Sequence, residues 1–358
     1  MKTLLYILYG GKSAEHEISL KTALTVIPSI DPDKFDVYPI YITPTGIWCS
    51  RGKLSSAPAE FNDLVLPPSY ELAASSLGDV LTRLFSLEGN KVVLPLLHGS
   101  NGEDGTIQGL LELLDVPYVG NGVLSSAVAL DKAVSKELLS RAGIPQADYR
   151  SYQYAHWTLN AQEISRSITE NIGYPCYVKP ASLGSSIGIS RCENEEELGD
   201  AVATAFRYDR KIVVEKEVVG REIQVAVMGN EQPLVSVPGE FIQDKAFFDY
   251  NAKYLDGRLR MSIPADIPEH LADRIQRTAN LAYQTLQCAG LARVDFFVDA
   301  QERIYLNEIN TLPGFTKFSM YPVMWERTNG TTYSELIEKL IDYAFMRHLA
   351  KQSIQYSR

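Results

Sequence analysis

RVDFFVDAQERIYLNEINTLPG, residues 293–314, reads as two short strands around a polar turn, and its acids fall into one register. A turn over Ala300–Arg303 sets Asp299 opposite Ile304 and, further back, Asp295 directly opposite Glu308 on the same face. Asn310 lies two residues beyond Glu308 and shares that face, and Arg293 joins it from the facing strand. Two carboxylates, an amide oxygen and a guanidinium therefore converge. Mg²⁺ is held in this manner, by a few carboxylates completed by phosphate oxygens and waters. The plainer reading is the solvated face of an edge hairpin, but paired acids on one face repel unless a cation lies between them.

Working outward, the next signal is Gly184-Ser185-Ser186-Ile187-Gly188, just after Val178-Lys179-Pro180. Small residues let backbone N–H groups approach phosphate oxygens, and Lys179 would add a point charge. Gly/Ser loops are also ordinary turns, and this one is not a Walker P-loop. Glu215-Lys216-Glu217-Val218 then ends a strand, with Glu222 close behind. A strand edge can offer a backbone donor and acceptor to adenine, and a carboxylate can accept from ribose hydroxyls. Taken alone, the same segment reads as a charged linker. At the N-terminus, Gly10-Gly11-Lys12-Ser13-Ala14-Glu15 follows an apolar run, but the third glycine of a dinucleotide fingerprint is missing. Glu15 reads instead as a substrate carboxylate at the strand's carboxyl end. The matching edge carries His98-Gly99 and Gly102-Glu103-Asp104-Gly105, where His98 is either a ligand or a structural hydrogen-bonder.

The first third alternates strands and helices: LLYILYGG, a helical EHEISLKTALTVIPSI, FDVYPIYIT, KVVLPLLHG and a helical GTIQGLLELL. That alternation predicts a parallel sheet with helices on both faces. Glu60–Asn90 is poorer in signal and reads as a loop-rich connection. Ser125–Ala142 is expected to be one helix, stopped by Gly143 and Pro145. YPCYVKPA and RKIVVEKEVV are strand-like around a helical EEELGDAVATAF. Longer strands follow, REIQVAVMG, PLVSVPGEF, ARVDFFVD and RIYLNEIN, interrupted by the helix HLADRIQRTANLAYQTL and closed by YSELIEKLIDYAFMRHLA.

At 358 residues the chain is too long for one small core, and 45% hydrophobic residues give ample material to bury. A formal charge of −10 disfavours a nucleic-acid partner. Cys49, Cys176, Cys192 and Cys288 are scattered, without metal-site spacing, and are expected to be reduced thiols in the cytoplasm. No apolar run reaches a membrane span, and Leu4–Tyr9 is too short for a signal peptide.

With GGKSAEHEISL, LLHGSNGEDGTIQGLLELLDVPYVG, LDKAVSK, KPASLGSSIG, NAKYLDG, ARVDFF and NEINTLPGFTKFSMYP in this order, the chain resembles the D-alanine–D-alanine ligases of the ATP-grasp enzymes over nearly its whole length. The fold this implies is α/β with ATP-grasp architecture. Residues 1–122 would form a Rossmann-like parallel-sheet substrate domain, 123–218 a small central α+β domain and 219–358 a C-terminal α+β catalytic domain. The resemblance implies that Glu15 meets the first substrate's ammonium, with Ser185 and Tyr254 as hydrogen-bonding partners that close a mobile loop. It makes Lys132, Lys179 and Lys253 phosphate ligands beside Ser186, and Glu215, Glu217, Val218 and Glu222 adenosine ligands. Asp295, Glu308 and Asn310 match the magnesium ligands, for two Mg²⁺ ions that Mn²⁺ can replace. Arg293 and the N–H of Gly314 match the groups that meet the tetrahedral intermediate. His98 lies on the substrate edge, and Ser319 and Met320 stand at the site for the second substrate's carboxylate; Met320 departs mildly from the family's usual Leu.

The implied reaction consumes ATP and two D-alanines through a D-alanyl phosphate, in a homodimeric enzyme of cell-wall synthesis. A D-alanine–D-lactate ligase is the nearest rival, and the retained Lys253-Tyr254 opposes it. Glu15 and Ser319 oppose an ATP-grasp enzyme for another acid and amine. The three metal-ligand matches oppose a catalytically dead regulator, and the broken glycine fingerprint opposes a dehydrogenase.

Overall fold

The structure is a computed structural model that describes residues 2–242 and 260–355. In the first sheet, β1 (Thr3–Gly10) runs parallel to β2 (Phe35–Ile42) on one side and to β4 (Lys91–Pro95) on the other. The short β3 (Trp48–Cys49) adds an antiparallel edge to the expected parallel sheet, in the order β3-β2-β1-β4. Along β1, Leu5, Ile7 and Tyr9 enter one core while Leu4, Tyr6 and Leu8 enter another. A strand covered on both faces needs an unbroken apolar run, which is what this segment carries. The strand ends at Gly10, where φ is +86° and an added Cβ would lie 2.3 Å from the Ile42 carbonyl oxygen. Only glycine fits that turn.

Helix α1 (His16–Val26) covers one face, with Leu20, Ala23 and Val26 in the core. The stretch read as loop-rich in fact holds α2 (Phe61–Leu64) and α3 (Ala73–Val80), the latter running into a π-helical turn at Leu81–Phe85. Helix α4 (Thr106–Leu113) lies on the opposite face through Ile107 and Leu111. The single helix expected over 125–142 is two, α5 (Val123–Leu130) and α6 (Lys132–Arg141). Asp131 breaks it: its backbone is extended, and its side chain accepts from the N–H groups of Ala133 and Val134. An aspartate at that point competes with the helix and caps the next one.

The second sheet is antiparallel, β5 (Tyr149–Gln153), β6 (Cys176–Pro180), β7 (Ser190–Cys192) and β8 (Lys211–Lys216), in the order β5-β8-β6-β7. The helices α7 (Tyr154–Asn171) and α8 (Glu195–Ala205) cover it through Ile164, Ile168, Leu198 and Val202. Helix α7 is not among the helices expected from the sequence.

The largest sheet is β9 (Arg221–Gly229), β10 (Leu234–Val235), β11 (Gly239–Ile242), β12 (Arg260–Ser262), β13 (Gly290–Val298) and β14 (Ile304–Asn310). Its order is β12-β11-β9-β13-β14, with β10 paired to β9, so the strand read over PLVSVPGEF is two short ones. Helix α9 (Glu269–Thr285) packs on Ile223, Val225 and Val294. Ala226 and Met228, on the other face of β9, share a core with Leu5, Ile7 and Tyr9 of β1 and with the last helices, α10 (Met320–Asn329) and α11 (Tyr333–Gln352). This common core joins the first sheet to the largest one. No helix among the described residues is long and apolar enough to cross a membrane.

Candidate active site

The β13–β14 hairpin sets Asp295 opposite Glu308 and Arg293 opposite Asn310, as its spacing predicts, but by a different route. The turn spans Asp299–Arg303, so Val298, not Asp299, pairs with Ile304. The Asp299 side chain accepts from the N–H groups of Gln301 and Arg303, and Glu302 takes φ +57°, which fixes the longer turn. A bulge restores the register, because Phe296 pairs with Leu306 and leaves Asn307 extra. Bulges re-aim side chains; this one sends the Asn307 Oδ1 to 3.5 Å from the Lys179 ammonium.

Two cavities meet at this hairpin. The larger, of about 560 Å³, lies between the second and largest sheets and is lined by Lys132, Lys136, Lys179, Ser186, Glu215 and Val218, among others. The smaller, of about 330 Å³, lies toward the first sheet and is lined by Glu15, His98, Arg293, Asn310, Gly314 and Met320, among others. Gly184, Ser185, Glu222, Phe241 and Glu308 line both.

In the larger cavity, Glu215 is 4% exposed, with Lys136 Nζ 3.0 Å from one oxygen and Lys179 Nζ 2.5 Å from the other. Burial alone would raise its pKa, but the two ammonium groups outweigh it and hold the carboxyl at about 2. Lys132 Nζ donates to the Leu183 carbonyl at 2.7 Å and lies 3.5 Å from Glu308. Ser185 and Ser186 both have positive φ, +53° and +59°, so the loop turns left-handed where it passes between the cavities. Glu222 accepts from Gln224 Nε2 at 3.1 Å. Glu217 lines the wall, but its carboxylate is engaged by Arg191 at 2.6 and 3.1 Å and by the Tyr177 hydroxyl.

In the smaller cavity, the Ser185 hydroxyl donates to Glu15, joining residues far apart in the chain. Burial raises the Glu15 pKa and the nearby Glu103 adds to it, while His98, Ser185 and Lys132 oppose. His98 is buried, 3.6 Å from Glu103 through Nδ1 and 3.3 Å from Thr22 through Nε2. Burial works against its charged form, yet Glu103 and Glu15 overcome this and raise its pKa. Asp295 is 2% exposed and accepts from Arg293 at 2.7 and 2.7 Å and from Asn310 at 3.1 Å. Ser319 directly precedes α10, whose first turn has no side-chain cap, because the Ser319 hydroxyl bonds Thr316 instead. A helix N-terminus of that kind favours an anion. Lys253 and Tyr254 lie outside the described residues. Neither Lys136 nor Glu103 is among the site residues expected from the sequence, although Lys136 shares a helical face with Lys132 at a spacing of four.

The metal-ligand candidates form no cluster of three or more His, Cys, Asp or Glu side chains among the described residues. They are two carboxylates and an amide oxygen on one face. That donor set fits a hard divalent cation that keeps phosphate or water ligands, and Arg293 already offsets part of its charge.

Gly99 tests the smaller cavity. Its φ is +70°, and an added Cβ would lie 2.4 Å from Glu15 Oε2 and 2.7 Å from Ser13 Oγ. The resemblance sets Glu15 against an amino-acid substrate, so Gly99→Ala is expected to push Glu15 off Ser185 and weaken amino-acid use by roughly a hundredfold, the scale of an ångström-sized misplacement. The KM for ATP should stay near the parent's; steady-state kinetics with each substrate varied decides, and an unchanged KM for the amino acid would refute the placement.

A cavity between two antiparallel sheets, opening onto a smaller one at a carboxylate hairpin, is the arrangement expected of an ATP-grasp enzyme. The chain matches the family described as D-ala D-ala ligase N-terminus over residues 5–121 and that described as D-ala D-ala ligase C-terminus over residues 138–342. It is 48% identical over 362 residues to a D-alanine–D-alanine ligase of Geobacillus thermodenitrificans, covering 100% of this chain and 99% of that one. Among solved structures, the D-alanine–D-alanine ligase of Coxiella burnetii aligns with a TM-score of 0.80 at 33% identity, over 98% of this chain and 96% of that one. The VanG D-Ala:D-Ser ligase of Enterococcus faecalis aligns with a TM-score of 0.80 at 32% identity, over 96% of this chain and 100% of that one. The chain belongs to the D-alanine–D-alanine ligase family.

Proposed function

We propose that the chain joins two D-alanine molecules into D-alanyl-D-alanine at the expense of ATP, for peptidoglycan synthesis. The observation that carries this reading is the shared wall: Ser185 and Glu308 face both cavities, so a phosphate from one can meet a carboxylate in the other. In the larger cavity, Glu215, Val218 and Glu222 receive the adenosine, with Glu217 on the wall, and Lys132, Lys179 and Ser186 face the phosphates. Lys253 and Tyr254 are assigned to the phosphates and to the closing loop by family resemblance.

The first D-alanine binds by its ammonium at Glu15, whose orientation Ser185 fixes. Its carboxylate attacks the γ-phosphate to give an acyl phosphate and ADP, because a bare carboxylate is too poor an acylating agent. Asp295, Glu308 and Asn310 would hold Mg²⁺, two ions that Mn²⁺ can replace, and the metal when bound neutralises the charge on the transferring phosphoryl group. The second D-alanine presents its carboxylate to the N-terminus of α10 at Ser319 and Met320. His98, held by Glu103 and Thr22, lines the wall of the same cavity. The second D-alanine's free amine attacks the carbonyl carbon of the acyl phosphate, and Arg293 with the Gly314 N–H meets the developing oxyanion, where one donor is worth ~3–4 kcal/mol. The tetrahedral intermediate collapses by breaking the bond to phosphate, which leaves as inorganic phosphate and takes up the amine's surplus proton. The reading also takes a homodimer from the family and, from the cysteines, the net charge and the lack of a long apolar run, a cytoplasmic enzyme without nucleic-acid or membrane partners. The four free, buried cysteines are in keeping with a reducing compartment.

The test is phosphate release coupled to product mass, with D-alanine alone and with L-alanine, D-serine or D-lactate added in parallel. D-Alanine alone should release phosphate in step with dipeptide, and L-alanine should release none, since the methyl direction is fixed by three-point binding. Equal turnover with L-alanine would sink the reading; a mixed product dominated by D-alanyl-D-serine would move the chain to the specificity named for the Enterococcus faecalis relative.

A further inference from the structure

Glu215 is served by two lysines that are not equivalent. Lys136 is 1% exposed, its ammonium is 3.0 Å from Glu215 Oε1, and it lies 5.3 Å from the centre of the Tyr149 ring. Lys179 is 9% exposed, stands at the end of β6 beside the Gly/Ser loop, and lies 2.5 Å from Glu215 Oε2 with Asn307 at 3.5 Å. Each carboxylate oxygen thus has its own ammonium. Burial and the neighbouring lysines lower the Lys136 pKa while Glu215 opposes them, and with both ammonium groups charged the cluster carries one positive charge beyond what Glu215 can neutralise. A polyphosphate is the anion that this excess suits.

We propose that Lys136 is a positioning residue, the permanent counter-ion of Glu215, whose presence lets Lys179 turn from Glu215 to the phosphates of the bound nucleotide. The inference rests on the nucleotide reading above. Spacing supports the division: Lys132 and Lys136 are four residues apart on α6, so one helical face sends one ammonium toward Glu308 and the other to Glu215. Both lysines line the larger cavity, but Lys136 is held between Glu215 and the Tyr149 ring, whereas Lys179 has a second side-chain partner in Asn307. Without Lys136, the buried carboxylate would keep Lys179 for itself, because an unpaired buried charge is strongly unfavourable.

The experiment is calorimetric titration of the full-length chain with ATP in excess Mg²⁺ and, separately, with adenosine. In the parent, phosphates should add affinity. In Lys136→Met the ratio of ATP to adenosine affinity should fall by about tenfold or more while adenosine affinity changes by less than about threefold, and Lys136→Arg should restore the ratio. A parental ratio retained in Lys136→Met, or equal losses for both ligands, would overturn the division of labour. A parent that gains nothing from phosphates would instead remove the nucleotide reading beneath it. Should Lys136→Met fail to fold, Glu215→Gln is compared with Glu215→Gln/Lys136→Met, which removes both charges together. The two should give the same ratio, since no carboxylate then holds Lys179; a further fall on adding Lys136→Met would mean that Lys136 meets phosphate directly, against the proposal.

Discussion

Glu308→Gln is expected to reduce D-alanine-dependent phosphate release by roughly a thousandfold or more while leaving the thermal midpoint almost unchanged; charge neutralisation at a transferring phosphoryl group contributes several kcal/mol, at a factor of ten for each ~1.4 kcal/mol. The substitution keeps the side chain's size and removes one charge. Glu308 has a 27% exposed side chain and faces both cavities, and it lies 3.5 Å from the Lys132 ammonium, beyond ordinary hydrogen-bond length. Lys132 keeps its bond to the Leu183 carbonyl at 2.7 Å. Phosphate release in excess Mg²⁺ and a melt on the same preparation decide the matter. Turnover within tenfold of the parent would mean that the hairpin does not handle the phosphate.

Asp295→Asn should lose as much activity and also lose stability. From the sequence the two acids look interchangeable, opposed on one face. The structure separates them: Asp295 is 2% exposed, and both its oxygens accept from Arg293 at 2.7 Å. Breaking a buried ion pair by removing one partner costs ~3–5 kcal/mol. The lower end applies here, because the Arg293 side chain is 19% exposed. A fall in the thermal midpoint of roughly 5–10 °C is the expected scale. The comparison with Glu308→Gln is the sharp one. Equal midpoints for the two variants would show that the Arg293–Asp295 pair holds nothing together.

Much of the site is legible in the sequence. The hairpin placed Asp295 against Glu308 because a period of two fixes which residues share a face. The turn was misjudged by one residue, and the bulge at Asn307 cancelled that error. Bulges depend on what the strand packs against, so periodicity does not disclose them. Helix α10 escaped notice because Met320, Tyr321, Pro322, Met324 and Trp325 are all buried, and a helix apolar on most of its surface shows no amphipathic stripe. Its N-terminus is nonetheless what gives Ser319 a place in the site. Asp131 was readable as a cap but was passed over inside an otherwise helical run.

The sequence by itself determined the local facts: most of the longer strands and several of the helices, the shared face of Arg293, Asp295, Glu308 and Asn310, the glycine turn at Gly10, and the family. The tertiary structure decided the pairings between distant segments. Ser185 meets Glu15 across 170 positions of chain, and Lys136 meets Glu215 from a helix to a strand. It also decided that Glu217 answers to Arg191, that His98 is held by Glu103 and Thr22, and that Asp295 is bound where Glu308 faces the cavities. The physical reason is that side-chain periodicity fixes which way a residue points on its own element, while its partner is set by which other element packs opposite, and that is settled by the burial of whole faces.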